Sequence, residues 1–185
     1  EDDKTTDTPD SIFPNNWVSF HNDGMVCLYP MCAENRRIER RKDIFDILVD
    51  EYGFSIKAVK DFTTFEDQDR FLEGTGSMVL DRENKICYAS LSIRTNEVAV
   101  MQFCEEFDYR LISFTANQDV DGERMAIYHT NVMMCVGDAF SVICLDAIDD
   151  AIERENVIKA LQETGKEIIE ITEAQSHRFA GNMLQ

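Results

Sequence analysis

Apolar residues come in pairs of short runs followed by one longer stretch with helical spacing, and this pattern occurs three times along the chain. Residues 17–20 and 25–29 flank His21-Asn22-Asp23-Gly24, whose Asp-Gly step marks a hairpin turn. Residues 77–80 and 85–90 flank Asp81-Arg82-Glu83-Asn84 in the same way, and residues 132–136 and 139–145 flank Gly137-Asp138. Each predicted hairpin is followed by apolar positions three to four apart. These are Ile38, Ile44, Phe45, Ile47 and Leu48 within 36–52, then Val98, Met101, Phe103 and Phe107 within 95–107. In the third copy they are Ile152, Val157, Ile158 and Leu161 within 150–163. A further short strand is expected after each helix, at 55–59, 110–114 and 166–171. Gly53 and Gly165 stand where a helix C-terminal cap is needed.

The pattern is therefore ββαβ three times, an α/β chain with units at about 12–60, 71–116 and 127–171. A fourth unit is expected to open at 179–185, which ends on what reads as the start of a strand. The polar residues immediately before the hairpins are Asn16, Glu73 and His129, spaced by 57 and 56 residues, and Asn182 follows 53 residues later. Side chains at equivalent ends of radially arranged repeats face a common axis, which is where a propeller holds its ligand.

Glu73 lies in Phe71-Leu72-Glu73-Gly74-Thr75-Gly76-Ser77, where the glycines allow close backbone approach; the alternative is a tight turn with a solvated carboxylate. Gly74-Thr75-Gly76 lacks the frame of a nucleotide loop. His129, in Tyr128-His129-Thr130-Asn131, is open to reading as a core histidine or as an acid–base group near neutral pH. In strand geometry it would share a face with Asn131. Pro14-Asn15-Asn16 is a good turn sequence as well as a source of amides. His21 and His177 read as surface residues. Arg36, Arg37, Arg40 and Arg41 put positive charge at a helix start, which is electrostatically unfavourable and suits either a carboxylate site or a solvated face.

Composition narrows the partners. With 36 acidic and 18 basic residues the formal charge is −18, which disfavours nucleic acid and anionic membrane surfaces and leaves small molecules as the expected ligands. No run approaches the roughly 18–20 apolar residues of a membrane span. The six cysteines include no CxxC and sit mostly in apolar runs, which reads as reduced thiols in a cytoplasmic protein without a zinc site or other cofactor. Residues 1–11 are acidic and aperiodic and are expected to be a flexible end, and the chain as a whole reads as a fragment. Nothing in the sequence fixes the oligomeric state, and a homo-oligomer stays open.

Several motifs carry a resemblance: Phe13-Pro14-Asn15-Asn16-Trp17-Val18-Ser19-Phe20-His21, Leu28-Tyr29-Pro30-Met31 and Asn35-Arg36-Arg37-Ile38-Glu39-Arg40-Arg41, with residues 71–81, 128–137 and 179–185. On these the chain resembles the arginine deiminase and amidinotransferase (pentein) superfamily, and within it the amidinotransferase-like citrulline hydrolases. The resemblance implies a five-bladed α/β propeller of ββαβ units, about three of them present. It implies hydrolysis of a C–N bond of a ureido or guanidino amino acid by a cysteine nucleophile. An arginine amidinotransferase or deiminase, or a non-catalytic pentein binding module, are the alternatives. By the same resemblance Glu73 and His129 are catalytic, while Asn16, Asn131 and Arg36 bind substrate, Arg36 through its carboxylate. The glycine-rich cysteine segment of the superfamily is not found among these residues, so the nucleophile is expected outside the chain and the fragment is expected to be inactive. Asn16 and Asn131 stand where arginine deiminases hold aspartates. Neutral amides suit a ureido group better than a permanent guanidinium cation.

Overall fold

A computed structural model describes Thr8 and residues 10–183. The first unit contains β1 (Val18–Phe20), β2 (Met25–Leu28), two short helices α1 (Glu34–Arg37) and α2 (Asp43–Asp50), and β3 (Ala58–Asp61). The helical turn α3 (Gly74–Ser77) leads into the second unit, β4 (Val79–Asp81), β5 (Ile86–Ser90), α4 (Glu97–Phe107) and β6 (Arg110–Phe114). A hairpin of β7 (Asn117–Val120) and β8 (Glu123–Ala126) separates it from the third unit. That unit is β9 (Met134–Val136), β10 (Phe140–Ile143), α5 (Ala151–Glu163) and β11 (Glu167–Glu170), and α6 (Glu173–Ser176) follows. In every unit the middle strand pairs antiparallel with the first and parallel with the third, so a helix must cross over between them.

The helices start on local capping. The Asn96 side chain accepts from the amides of Val98 and Ala99, and Asp150 accepts from Ile152 and Glu153, in each case satisfying first-turn donors. Apolar faces then close between units as well as within them. Tyr29 and Phe62 of the first unit join Met78, Cys87, Phe103 and Tyr109 of the second in one cluster. Ile86, Tyr88 and Phe114 join Met134, Val142, Val157 and Leu161 of the third in another. Fixing neighbouring units against each other is what brings residues distant in sequence to one place.

Five expectations are corrected. The helix expected over 36–52 is broken into α1 and α2, because Arg37 and Arg40 turn inward. Arg37 donates to the Met31 carbonyl, Arg40 donates to the Tyr29 carbonyl, and both pair with Glu66. The third strand of the first unit begins at Ala58 rather than 55, since Lys57 is spent in bonding its amide to the Gly24 carbonyl. Of the expected flexible end, residues 1–7 and 9 lie outside the described residues, but Asp10 is held: its carbonyl accepts from the Phe13 amide and from Arg36. Of the strand start expected over 179–185, residues 184 and 185 lie outside the described residues. Residues 179–182 form a tight turn instead, closed by Asn182 N–H to the Phe179 carbonyl. His21 is half-buried rather than a surface residue, bonded to Ser19 and stacked on Phe107 with ring centroids 4.3 Å apart.

Candidate functional site

Each unit is entered through a helical turn, and in the second and third units the residue capping that turn is polar. Phe13 caps Pro14–Asn16, Glu73 caps α3 and His129 caps Thr130–Val132. The capping residue of the first turn is thus Phe13. Asn16 sits three residues further on, at the end of the turn, and not at the position of Glu73 and His129. Glu73 and His129 are structural equivalents from neighbouring units, and their side chains meet.

Glu73 is fully buried, and its Oε2 lies 2.7 Å from His129 Nε2. Arg94 Nη1 is 3.3 Å from the same oxygen, and the Cys32 amide donates to Oε1 at 3.0 Å. Burial alone would raise the Glu73 carboxyl. The hydrogen bond and charge of His129, the Arg94 guanidinium and the Cys32 amide outweigh it and hold Glu73 below the usual carboxylate range. The carboxylate is therefore ionised at neutral pH and fixes one nitrogen of the imidazole beside it. The turns carrying the pair are bonded to each other. Thr130 Oγ1 donates to the Ser77 carbonyl at 2.5 Å and accepts from the Ser90 amide, while Ser77 Oγ donates to the Arg94 carbonyl at 2.8 Å and accepts from the Glu73 amide.

Asn16 approaches the pair from a third side. A Cβ added to Gly76 would lie 2.5 Å from Asn16 Nδ2 and 3.0 Å from both Nδ1 and Cε1 of His129, so the amide and the imidazole converge over a residue that must lack a side chain. Gly74, at φ +47°, passes so close to the first turn that a Cβ would meet the Asn15 carbonyl oxygen at 2.2 Å.

Two expected site residues are elsewhere. Arg36 is buried, with Nε and Nη2 on the Glu39 carboxylate, Nη1 on Asn16 Oδ1 at 3.0 Å and Nη2 on the Asp10 carbonyl. A guanidinium so engaged stands behind Asn16 and does not open to a ligand. Asn131 belongs to a 3-10 turn, not a strand, so it does not share a face with His129. It lines a cavity of about 180 Å³ between β4 and β9, beside Asn15, Thr75 and Asn182.

Sequence reasoning missed Arg94. Its side chain is about one-third exposed, touches Glu73, and lies over the Tyr128 ring at 5.1 Å. A lone arginine in Ser92-Ile93-Arg94-Thr95, without a counterpart in the other units, gave no pattern to find. Cys32 is the cysteine nearest Glu73. Burial, then the Glu73 charge, raises its thiol, so it stays protonated; burial likewise pushes Cys27 up to about 12 and raises Cys87 and Cys144. Among the described residues no cluster of His, Cys, Asp and Glu could hold a metal ion, and no helix is long and apolar enough to cross a membrane.

The model of the family described as N,N dimethylarginine dimethylhydrolase, eukaryotic, matches residues 1–185. No curated protein sequence matches. Among solved structures, the chain is similar to ArgZ, an arginine dihydrolase from the ornithine–ammonia cycle in Cyanobacteria, with TM-score 0.71 and 20% identity over 100% of this chain and 26% of that one. A substrate-bound cysteine-to-serine mutant of the ArgZ N-terminal domain gives TM-score 0.69 and 21% identity over 96% of this chain and 59% of that one. A cysteine-to-serine mutant of DDAH from Pseudomonas aeruginosa, complexed with citrulline, gives TM-score 0.62 and 17% identity over 96% and 58%. The chain thus spans about a quarter to three-fifths of these structures, which share its pentein fold.

Proposed function

Because the chain belongs to the eukaryotic N,N dimethylarginine dimethylhydrolase family, we propose that it supplies the acid–base half of a cysteine-dependent hydrolase of guanidino or ureido amino acids. The observation that carries this reading is the buried 2.7 Å contact between Glu73 and His129. An ionised carboxylate can receive two N–H groups from a planar guanidino or ureido end and align its carbon for attack. A histidine bonded to that carboxylate is oriented to pass protons on its other side. A thiolate attacks the central carbon, the C–N bond breaks, and His129 protonates the leaving amine. Water then attacks the covalent intermediate with His129 as base, releasing the thiolate. The protonated state of Cys32 and the burial of the other five cysteines support a nucleophile supplied from outside residues 1–185. Arg94, about one-third exposed beside the pair, is the candidate carboxylate anchor in this reading, the role that the resemblance implied for Arg36.

The test is turnover by the full-length protein of arginine, N-methylated arginines and citrulline, with products identified. A hydrolase releases ammonia or an amine without an acceptor, whereas an amidinotransferase requires one. His129→Ala should lower kcat by roughly 10²–10⁴-fold; full activity in that variant would remove the assignment.

A further inference from the structure

After Leu28, the last residue of β2, the chain leaves the sheet, and its main-chain groups need other partners. From the Tyr29 carbonyl to the Cys32 amide each of them has one. The Tyr29 carbonyl accepts from Arg40 Nη1 at 3.2 Å, and the Pro30 carbonyl accepts from the Leu72 amide at 3.0 Å. Pro30 has no N–H to place. The Met31 amide donates to Glu66 Oε1 at 2.7 Å, and the Met31 carbonyl accepts from Arg37 Nε at 3.0 Å. The next amide, that of Cys32, is the one that donates to Glu73 Oε1 at 3.0 Å. Two successive amides thus grip two carboxylates, Glu66 and Glu73.

Three of these bonds run through Glu66, which stands in the 3-10 turn Thr63–Gln68 with its side chain only 11% exposed. It takes the Met31 amide directly. It also holds both guanidinium groups that reach the carbonyls. Arg37 Nε is 3.5 Å and Arg40 Nη2 3.0 Å from its Oε2, and Arg40 Nη1 bonds to its Oε1. We infer that Glu66 is a positioning residue for the Glu73–His129 pair, fixing residues 29–32 so that the Cys32 amide is delivered to Glu73. This rests on the function proposed above and deepens it. With Oε1 of Glu73 held by the main chain, the plane of the carboxylate is set and Oε2 faces His129 at 2.7 Å. Without that amide, Oε1 is a buried acceptor lacking its donor. Arg94, 3.3 Å from Oε2, is then the cation that draws the carboxylate round, and His129 loses the contact that orients its ring.

The experiment compares the full-length protein with its Glu66→Met/Arg40→Met variant, which is charge-balanced and removes the acceptor of the Met31 amide. Apolar residues of similar volume commonly replace a buried ion pair without loss of the fold. Turnover is measured for arginine, N-methylated arginines and citrulline, and kcat for the compound consumed should fall roughly 10–10²-fold. Unfolding in urea is measured for both chains, each with and without Glu73→Gln, above and below about pH 4.5, the ordinary value for the carboxyl. His129, Arg94 and the Cys32 thiol, the other groups facing Glu73, are the same in all four chains. The pH-dependent effect of Glu73→Gln should be smaller in the double variant, by roughly threefold or more in the unfolding constant, because a donor that holds Glu73 ionised has gone. Wild-type kcat in the folded double variant overturns the inference. So does an effect of Glu73→Gln that is equal in both chains, which a general loss of stability would give. If the double variant does not fold, Glu66→Gln decides by the same two measurements. It keeps an oxygen for Met31 but frees Arg37 and Arg40, so smaller changes in the same directions support the inference and their absence overturns it. No turnover of any compound by the wild type overturns the proposed activity instead, and the unfolding measurements still decide the role of Glu66.

Discussion

Lys166, just before the last strand of the third unit, places its ammonium 3.2 Å from the Asp81 carboxylate at the end of β4, with both side chains almost fully buried. The pair ties the third unit to the second on the far side of β4 from Glu73. Lys166 also donates to the Asp138 carbonyl, and Asp81 accepts from Asn84. Removing one member of a buried pair leaves an uncompensated charge, so Lys166→Met should cost about 3–5 kcal/mol in denaturant unfolding. Asp81→Asn in the same chain keeps an acceptor for Asn84 and should recover most of that loss. A double variant no more stable than Lys166→Met would contradict the account.

His21 predicts a pH dependence. Burial, and then the Arg82 charge, lower the pKa of its imidazole from 6.5 to about 4. The unfolded chain therefore binds the proton more readily than the folded one. Its contribution to stability is complete above pH 6.5 and is lost as pH falls toward 4. Thermal melts of wild type and His21→Gln across that window should converge as the pH drops; parallel curves would show that His21 does not titrate in this way.

Gly76→Ala isolates the close approach of Asn16 and His129. Gly76 is not in the left-handed region, so an alanine meets no backbone strain and the whole effect is steric. The methyl must displace the amide or the imidazole. A cost of about 1–3 kcal/mol in stability is expected, with a loss in kcat/KM of roughly 10²-fold from misplacement of the reacting groups. Wild-type kinetics in Gly76→Ala would mean that neither group needs its present position.

The lowered pKa of Glu73 gives a second acid-sensitive component. A carboxylate whose folded pKa is depressed stabilises the fold above its ordinary range, and that stabilisation fades as pH falls through the folded value. Glu73→Gln should therefore flatten the unfolding profile below about pH 4.5, the ordinary value for the group. An unchanged acid limb in urea titrations at each pH would count against an ionised Glu73 in the folded state.

Most of the architecture was legible because strand and helix periods differ and the units repeat them. The hairpin of β7 and β8 was not. Its residues are polar on both faces and largely exposed, so no alternation marks it, although Asp121 and Gly122, both at positive φ, form the two-residue turn that hairpins favour. Glu73 and His129 were legible as a spacing. Asn16 was assigned to their position for the wrong reason, since counting back from the hairpin misses that Phe13 caps the first turn. The burial of Arg36 could not be read at all. An arginine at a helix start looks solvated until Glu39 and Asp10 are brought around it by the fold.

The shared capping position of the three turns bears on how such a protein changes over time. Gly76 and Ser77 donate to the Glu73 carbonyl, and Val132 donates to that of His129, so each turn closes through main-chain atoms whatever side chain the cap carries. The scaffold therefore tolerates exchange there. Turns of one build thus carry Phe13, Glu73 and His129 at the same position. A polar residue substituted for Phe13 would test whether the first copy can still take up a chemical role without refolding its turn.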